Sequence, residues 1–377
     1  MSPSIRNELA LDHRNHGADL LRIAAMLMVT VMHALVRGGV IFGSADIGLN
    51  FYLCWCIQAL CEVATNCFFF ISGYFLIPCS PSPSRAVNLW CTVLFYSWGI
   101  YGLFCALGLA QLHPDSPLLG SLLPISTNNY WFVNSYLALI FLAPYMNLTV
   151  RALSKEQLRR LVLVLLALFS LWPVVVPMVM TFEHHGGIGL SWSLVVYLAA
   201  AYLRLHARRL PSKGACLAAY VGCCALALIA RFLFVHFGNA GAPALLSYAN
   251  VILTYNSPLI FIAAGALFLF FLQLDIRKPA LVAVIRFFAP TVLAAYLITE
   301  QHNLGEYFWT KWIPMRPLAG NWWFIPYLFG VCLAVMLLCC LMDRVRCRLF
   351  GLAARLAKPL FPSLKPKQEA PAPQDAE

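Results

Sequence analysis

Charged residues are scarce in this chain, and acidic residues are the scarcest. Asp and Glu number 15 among 377 residues, charged residues of both signs make up 11%, and hydrophobic residues make up 61%. A soluble domain needs more charge on its surface, so this composition excludes a soluble core as the main structure. Apolar stretches of about 20 residues, each long enough to cross a bilayer, recur along the sequence. The chain is predicted to be an all-α, polytopic membrane protein.

Three other signals are missing. The 14 cysteines lie mostly singly in apolar stretches without zinc or redox spacing, so we interpret them as packing residues and predict no metal site. No 20–50-residue repeat and no soluble second domain is visible. The first apolar stretch is long, contains ionisable groups and lacks a small-residue cleavage site before the next stretch, which argues against a cleaved signal peptide.

Ten membrane spans are predicted within one domain, 18–342. This domain follows a cytoplasmic segment, 1–17, and precedes a basic cytoplasmic tail, 343–377, whose Pro- and Ala-rich end is predicted to be disordered. The sixth span is short and follows a Gly-rich turn, so a tilted or re-entrant segment is an alternative there. The predicted spans are 18–37, 50–77, 88–110, 131–150, 159–180, 189–206, 214–236, 249–272, 281–299 and 322–342.

The distribution of basic residues supports this count. With the N-terminus inside, 22 of the 26 Lys and Arg residues fall on cytoplasmic segments or the adjoining helix ends. Such alternation follows the positive-inside rule, and it predicts that both chain ends are cytoplasmic. It also explains the net charge of +11 without a nucleic-acid partner, so none is predicted.

The first span contains three groups that are costly in lipid: Asp19, Arg22 and His33. Arg22 and His33 are eleven residues apart, about three helical turns, so they share one face with His33 about 16 Å above Arg22. Asp19 is one turn below Arg22 and can pair with it. Arg22 either snorkels to the headgroups or binds an anionic ligand, and His33 is either a neutral packing residue or a base.

Two other polar groups are predicted to converge on the level of His33. Glu62 lies near the middle of the second span, and Glu300 and His302 lie at the outer end of the ninth. Glu300 is either an interfacial residue or a functional one. Arg231 lies within a span and pairs with Glu62 or with a ligand.

Five motifs in order resemble the integral-membrane acyltransferase 3 family, in its branch that modifies polysaccharides. The resemblance extends over residues 17 to 340. The motifs are Asp19-Leu-Leu-Arg22 followed by His33; Asn66 to Phe75 (NCFFFISGYF); Arg85 to Tyr96 (RAVNLWCTVLFY); Tyr130 to Asn147 (YWFVNSYLALIFLAPYMN); and Tyr255-Asn-Ser-Pro258 with Ala295 to Trp309 (AYLITEQHNLGEYFW).

This resemblance implies a ten-helix enzyme of the bacterial cytoplasmic membrane. Such an enzyme moves an acyl group, usually acetyl, from cytoplasmic acyl-CoA to a hydroxyl of a surface glycan or its lipid-linked precursor. Its expected partners are acyl-CoA, the glycan and membrane lipids. It needs no permanently bound cofactor. The resemblance further implies that His33 is catalytic and that Arg22 binds the donor, with additional donor-binding candidates at Asp19, Asn66, Ser72 and Tyr74. Helix packing is the alternative role for the small residues Ser72 and Gly73.

Two positions depart from the family pattern. Members often have a His directly after the Tyr-Leu-Ile of the ninth span, where this chain has Thr299. The loop after Tyr74 is commonly rich in basic residues, whereas here it contains only Arg85. Donor phosphates therefore depend on Arg22, Arg85 and residues of other loops, such as Arg151 or Arg209.

Acyl transfer to a sugar hydroxyl requires a base, and a neutral imidazole at His33 suits that role. Glu300 or Glu62 could orient the ring, as the carboxylate does in hydrolase triads. Donors to the thioester oxygen are expected among Asn66, Ser72, Tyr74 and Trp131. Direct transfer and an acyl-His intermediate are both open.

The acceptor is expected on the outer side. Trp131, Tyr136 and His302 are the predicted acceptor-binding residues, although an interfacial aromatic belt is an alternative origin for the two aromatic residues. A transporter or flippase for a glycan or an acylated small molecule is the competing function, since it would also have polar residues at mid-membrane.

Overall fold

A computed structural model describes residues 14–42, 47–78, 83–109, 117–177 and 185–357, without the side chains at 83, 117, 302, 303, 306 and 354. Within these residues the secondary structure is helical throughout, which confirms the all-α prediction. The α-helices are α1 His16–Arg37, α2 Leu49–Cys61, α3 Ala64–Leu76, α4 Pro83–Ala106, α5 Pro117–Leu122, α6 Trp131–Ala152, α7 Lys155–Leu166, α8 Trp172–Val175, α9 Leu190–His206, α10 Lys213–Asn239, α11 Leu245–Val251, α12 Pro258–Leu272, α13 Pro279–Phe288, α14 Leu293–Thr299, α15 His302–Tyr307 and α16 Phe324–Ala357.

Eight helices or helix pairs of the described chain are long and apolar enough to cross a membrane. They correspond to eight of the ten predicted spans. The other two predicted spans contain α9 and α12, which at about 1.5 Å per residue are shorter helices of the same bundle. The protein is therefore a polytopic helical membrane protein, as the sequence predicted.

Three of the described spans are interrupted by residues outside any helix: between α2 and α3, between α11 and α12, and between α13 and α14. The span that contains α7 and α8 is continuous, because a π-helix, Ala167–Leu171, joins them. Broken helices leave backbone groups without partners at membrane depth, where water cannot satisfy them. Here side chains supply partners. The Tyr220 hydroxyl donates to the Leu60 carbonyl at 2.8 Å, and the Asn66 amide donates to the Tyr255 carbonyl at 2.7 Å. Such breaks are tolerated where the backbone is enclosed by protein or lines a cavity.

The sixth predicted span is a single uninterrupted helix, α9, and it lies deep inside the bundle. Nine of its residues are buried, including the fully buried Trp192 and Tyr197. Helix α3 packs closely against it at Gly73, where an added Cβ would lie 2.7 Å from the Tyr197 carbonyl oxygen. Gly73 therefore has a packing role, and both it and Ser72 lie within the helix α3.

The last helix continues beyond the predicted end of the membrane domain at residue 342. Helix α16 extends to Ala357, so the first part of the predicted tail is helical. A buried network ties this extension to α4: Asp343 accepts from the Tyr96 hydroxyl at 2.8 Å and from Arg346 Nε at 2.6 Å. Residues 1–13 and 358–377, which contain the rest of both predicted terminal segments, lie outside the described residues.

Candidate active site

Helix α1 forms one wall of the candidate site, and its start is firmly placed. Asn15 caps the helix by accepting from the Ala18 amide at 2.8 Å, and its own amide donates to the Leu272 carbonyl at 3.2 Å. The helix runs unbroken to Arg37, so Arg22 and His33 share a face as their spacing predicted. Each of them lines a different compartment on that face.

The lower compartment, which we call the arginine cavity, has a volume of about 390 Å³. Three arginines and one acidic residue line it: Arg14, Arg22, Arg85 and Asp19. Its described lining therefore has a net charge of +2, three positive charges less one negative. Apolar side chains of α3, α4 and α6 form much of the remaining wall. A compartment of this size and charge suits an anionic ligand with an apolar portion.

Asp19 holds two of these arginines in place. Its Oδ2 accepts from Arg14 Nε at 2.5 Å, and its Oδ1 accepts from Arg22 Nη1. The Asp19 side chain is 4% exposed, whereas those of Arg14 and Arg22 are 47% and 36% exposed. The carboxylate is thus buried beneath two guanidinium groups that remain accessible. This arrangement fixes their orientation and leaves other N–H donors of each group for a ligand.

The upper compartment, which we call the histidine chamber, contains His33 and has a volume of about 30 Å³. Met26, Phe68 and Phe132 line both compartments, so these three side chains form the wall between them. His33 therefore faces an internal space that adjoins the arginine cavity. The rest of the chamber lining consists of Val29, Met32, Thr65, Trp131, Tyr255 and Tyr296.

His33 lies against a carboxylate, as the chemistry predicted. Its Nδ1 is 3.2 Å from Glu300 Oε1, although the angle falls short of a hydrogen bond. Contacts between catalytic groups are often poorly aligned before substrate binds, so the distance is the more informative quantity. Glu300 in turn accepts two bonds from Arg37, to Oε1 from Nε at 2.8 Å and to Oε2 from Nη2 at 2.5 Å. Glu300 thus contacts both His33 and Arg37.

The predicted donor-binding residues divide into two sets. Asp19, Arg22 and Ser72 line the arginine cavity. Asn66 lines neither compartment and is fully buried. Its side chain donates to the Tyr255 carbonyl and accepts from Trp192 Nε1 at 2.9 Å. The Tyr74 ring packs against Phe268 and beneath the Arg204 guanidinium. The contacts of Asn66 and Tyr74 are structural, and their donor-binding role stays a prediction.

The predicted acceptor-binding residues do not come together. Trp131 lines the histidine chamber, with its ring stacked on Tyr255 at a centroid distance of 5.7 Å. Tyr136 lines the arginine cavity instead, stacked on Phe132, so it does not share a compartment with Trp131. The His302 side chain lies outside the described part of the structure. Thr299, where relatives often have His, donates to the Ala295 carbonyl within its own helix.

Two further predicted groups lie apart from His33. Glu62 accepts from Gln58 Nε2 at 2.7 Å, and neither residue is in the described lining of the chamber. Arg231 donates to the Ala249 carbonyl and lies over the Trp55 ring, 4.0 Å from its centroid. Glu300, and not Glu62, is thus the carboxylate beside His33. Arg151, which was predicted in a loop, lies in the last turn of α6, donates to the Ile77 carbonyl and does not line the arginine cavity.

Sequence analysis missed the roles of Arg14, Arg37 and Tyr296. The sequence did contain a signal for Arg37, because it follows His33 by four residues and so lies one turn further along the same face. Tyr296 precedes Glu300 by four residues, and its ring lies 6.2 Å from that of His33. Arg14 precedes α1 and gave no periodic signal.

Comparison with known proteins bears on the family to which this chain belongs. Neither the curated proteins nor the solved structures include a match to this chain. A family model described as an acyltransferase domain matches residues 15–341, which include every residue of the His33–Glu300–Arg37 group, the whole lining of the histidine chamber and all of the arginine-cavity lining except Arg14. The match favours an enzyme over the transporter or flippase that sequence analysis left open. The chain belongs to the acyltransferase 3 family and is a membrane acyltransferase.

Proposed function

We propose that the protein transfers an acetyl group from cytoplasmic acetyl-CoA to a hydroxyl of a cell-surface polysaccharide or its lipid-linked precursor. The observation that supports this most directly is the adjacency of two compartments, one with arginines and one with a histidine beside a carboxylate. The positive-inside distribution places the arginine end of α1 at the cytoplasm, and we assign the enzyme to a bacterial cytoplasmic membrane.

The arginine cavity is the proposed donor site. Coenzyme A has phosphate groups at one end and the reactive thioester at the other. Arg14, Arg22 and Arg85 offer planar guanidinium donors, which bind phosphate with two parallel hydrogen bonds. With the phosphates there, the acyl end of the donor extends along the shared face of α1 toward His33, about 16 Å away.

His33 is the proposed general base. With Nδ1 beside Glu300, Nε2 is the ring nitrogen left to take a proton from the acceptor. The hydroxyl oxygen attacks the thioester carbonyl carbon as His33 takes the hydroxyl proton. The C–S bond then breaks, and the imidazolium returns the proton to the departing thiolate, so the products are an acetyl ester and free coenzyme A. Glu300 stabilises the transient imidazolium, and Arg37 holds Glu300 in place.

Trp131 is the proposed acceptor platform. Its ring is stacked on Tyr255 at the edge of the histidine chamber, where a sugar ring could pack against it. Trp131→Ala should therefore raise the KM for the acceptor without changing the KM for acetyl-CoA. A belt residue would change neither.

The test uses purified protein in lipid nanodiscs, with acetyl-CoA and surface polysaccharide from the host cell. Release of the coenzyme A thiol and mass of the polysaccharide are measured together. His33→Ala should abolish both signals, while the exposed His236, on α10, provides a control in which His236→Ala keeps both. Acetylation by the His33→Ala protein at the wild-type rate would contradict the proposal. A trapped acetyl group on His33 would establish the two-step route.

A further inference from the structure

The two compartments differ more than tenfold in size, and their common wall is apolar. The arginine cavity measures about 390 Å³, whereas the histidine chamber measures about 30 Å³. Any group that reaches His33 from the arginine side must pass Met26, Phe68 and Phe132. These side chains therefore limit what can arrive at the base.

Two of the three wall residues are held firmly. Phe132 is stacked on Tyr136, with rings 5° from parallel, and also packs against Phe69 and Tyr296. Phe68 contacts Phe132 edge to face, at a centroid distance of 5.6 Å. Met26 is buried, whereas Phe68 and Phe132 are partly buried, but the unbranched Met26 side chain has more rotatable bonds. Displacement of Met26 therefore admits the thioester, while the aromatic pair limits the space left beside it for a longer acyl chain.

We propose that Met26, Phe68 and Phe132 form an acyl-length filter that admits an acetyl thioester to His33 and excludes longer acyl chains. This inference rests on the proposed function, and it adds the specificity of the enzyme for the length of the donor's acyl chain. The chamber has room for the two-carbon group after slight expansion, whereas each added methylene meets packed aromatic rings. In a hydrophobic pocket one methylene changes specificity about 10- to 200-fold, so two should separate butyryl from acetyl at least 100-fold.

The experiment compares kcat/KM for acetyl-CoA, propionyl-CoA and butyryl-CoA with one acceptor. Wild-type protein should prefer acetyl to butyryl by at least about 100-fold. Phe68→Leu and Met26→Ala, which widen the wall independently, should each raise the butyryl-to-acetyl ratio about tenfold or more. The matched control is Phe75→Leu, since Phe75 lies two turns from Phe68 on α3 and lines only the arginine cavity. Its ratio should stay at the wild-type value.

The outcomes separate this inference from the proposed function. If the wild-type protein had equal kcat/KM values for butyryl-CoA and acetyl-CoA, that result alone would overturn the filter. So would a folded, active Phe68→Leu or Met26→Ala protein with an unchanged ratio, or a Phe75→Leu protein with an equal rise. Failure of the wild-type protein to use any acyl-CoA, or full activity after His33→Ala, would overturn the proposed function instead.

Discussion

Arg37 and Glu300 form a two-pronged ion pair between the last turn of α1 and the end of α14, with N–O distances of 2.8 and 2.5 Å. The same Glu300 oxygen that accepts from Arg37 Nε lies 3.2 Å from His33 Nδ1. The pair therefore fixes the carboxylate beside the imidazole, although 263 positions separate the two residues in sequence. Its functional consequence is tested by changing each partner separately.

Glu300→Gln should lower kcat for acetyl transfer by about 10²- to 10⁴-fold. The amide keeps the size of the side chain but has no charge to stabilise the imidazolium that forms on His33. The KM for acetyl-CoA should change little, because Glu300 is not part of the arginine cavity. Steady-state kinetics at saturating acceptor measure both constants. A Glu300→Gln protein with wild-type kcat would show that the carboxylate does not assist His33.

Arg37→Gln should lower kcat by a smaller amount, up to about 100-fold, by letting Glu300 move from its position beside His33. The Arg37 side chain is 43% exposed, so water can replace part of what the carboxylate loses. Lys311→Gln is the control, because it removes a positive charge from the same predicted side of the membrane at an exposed position. Equal losses in the two variants would indicate a general charge effect and contradict a positioning role for Arg37.

The helical periodicity of α1 explains why sequence analysis found the Arg22–His33 face. A straight helix converts a spacing of eleven residues into a shared face, so no knowledge of other helices is needed. Asp19 and Arg22 pair for the same local reason. The all-α, polytopic architecture was also predictable, since long apolar stretches and the positions of Lys and Arg indicate it.

Contacts between distant segments were not predictable in this way. The choice of Glu300 over Glu62 depends on how α14 packs against α1, which no periodicity in either helix encodes. Asn66 looked like a binding residue, yet it satisfies backbone and indole groups around broken helices. Those breaks occur in continuous apolar stretches, and hydropathy alone predicts unbroken spans there. The position of Tyr136 in the arginine cavity was not predictable either, because most of that cavity's lining belongs to other helices.

Arg85→Ala should raise the KM for acetyl-CoA about 10- to 100-fold, with kcat nearly unchanged. Hydrogen bonds between charged groups contribute about 1.5–3 kcal/mol, which corresponds to that range of affinity. Arg85 is exposed at the cavity, so the loss should shrink as salt is added and the interaction is screened. Kinetics at two salt concentrations measure the effect. Arg160→Ala, at an exposed position on α7, is the control, and an equal rise in its KM would rule out specific phosphate binding by Arg85.

Gly73→Ala should destabilise the protein by about 1–3 kcal/mol, because overpacking forces backbone shifts. The new Cβ would lie 2.7 Å from the Tyr197 carbonyl oxygen and 2.8 Å from the Ala200 Cβ, so α3 and α9 would have to separate. Gly102→Ala is the matched control: it also lies within a helix, α4, but an added Cβ meets nothing within 4 Å. There alanine should stabilise the helix by about 0.5–1 kcal/mol. Thermal unfolding in detergent measures both variants. A Gly73→Ala protein as stable as Gly102→Ala would show that α3 does not need glycine to approach α9. The other role considered for Gly73, close approach of the acyl donor, would then be favoured.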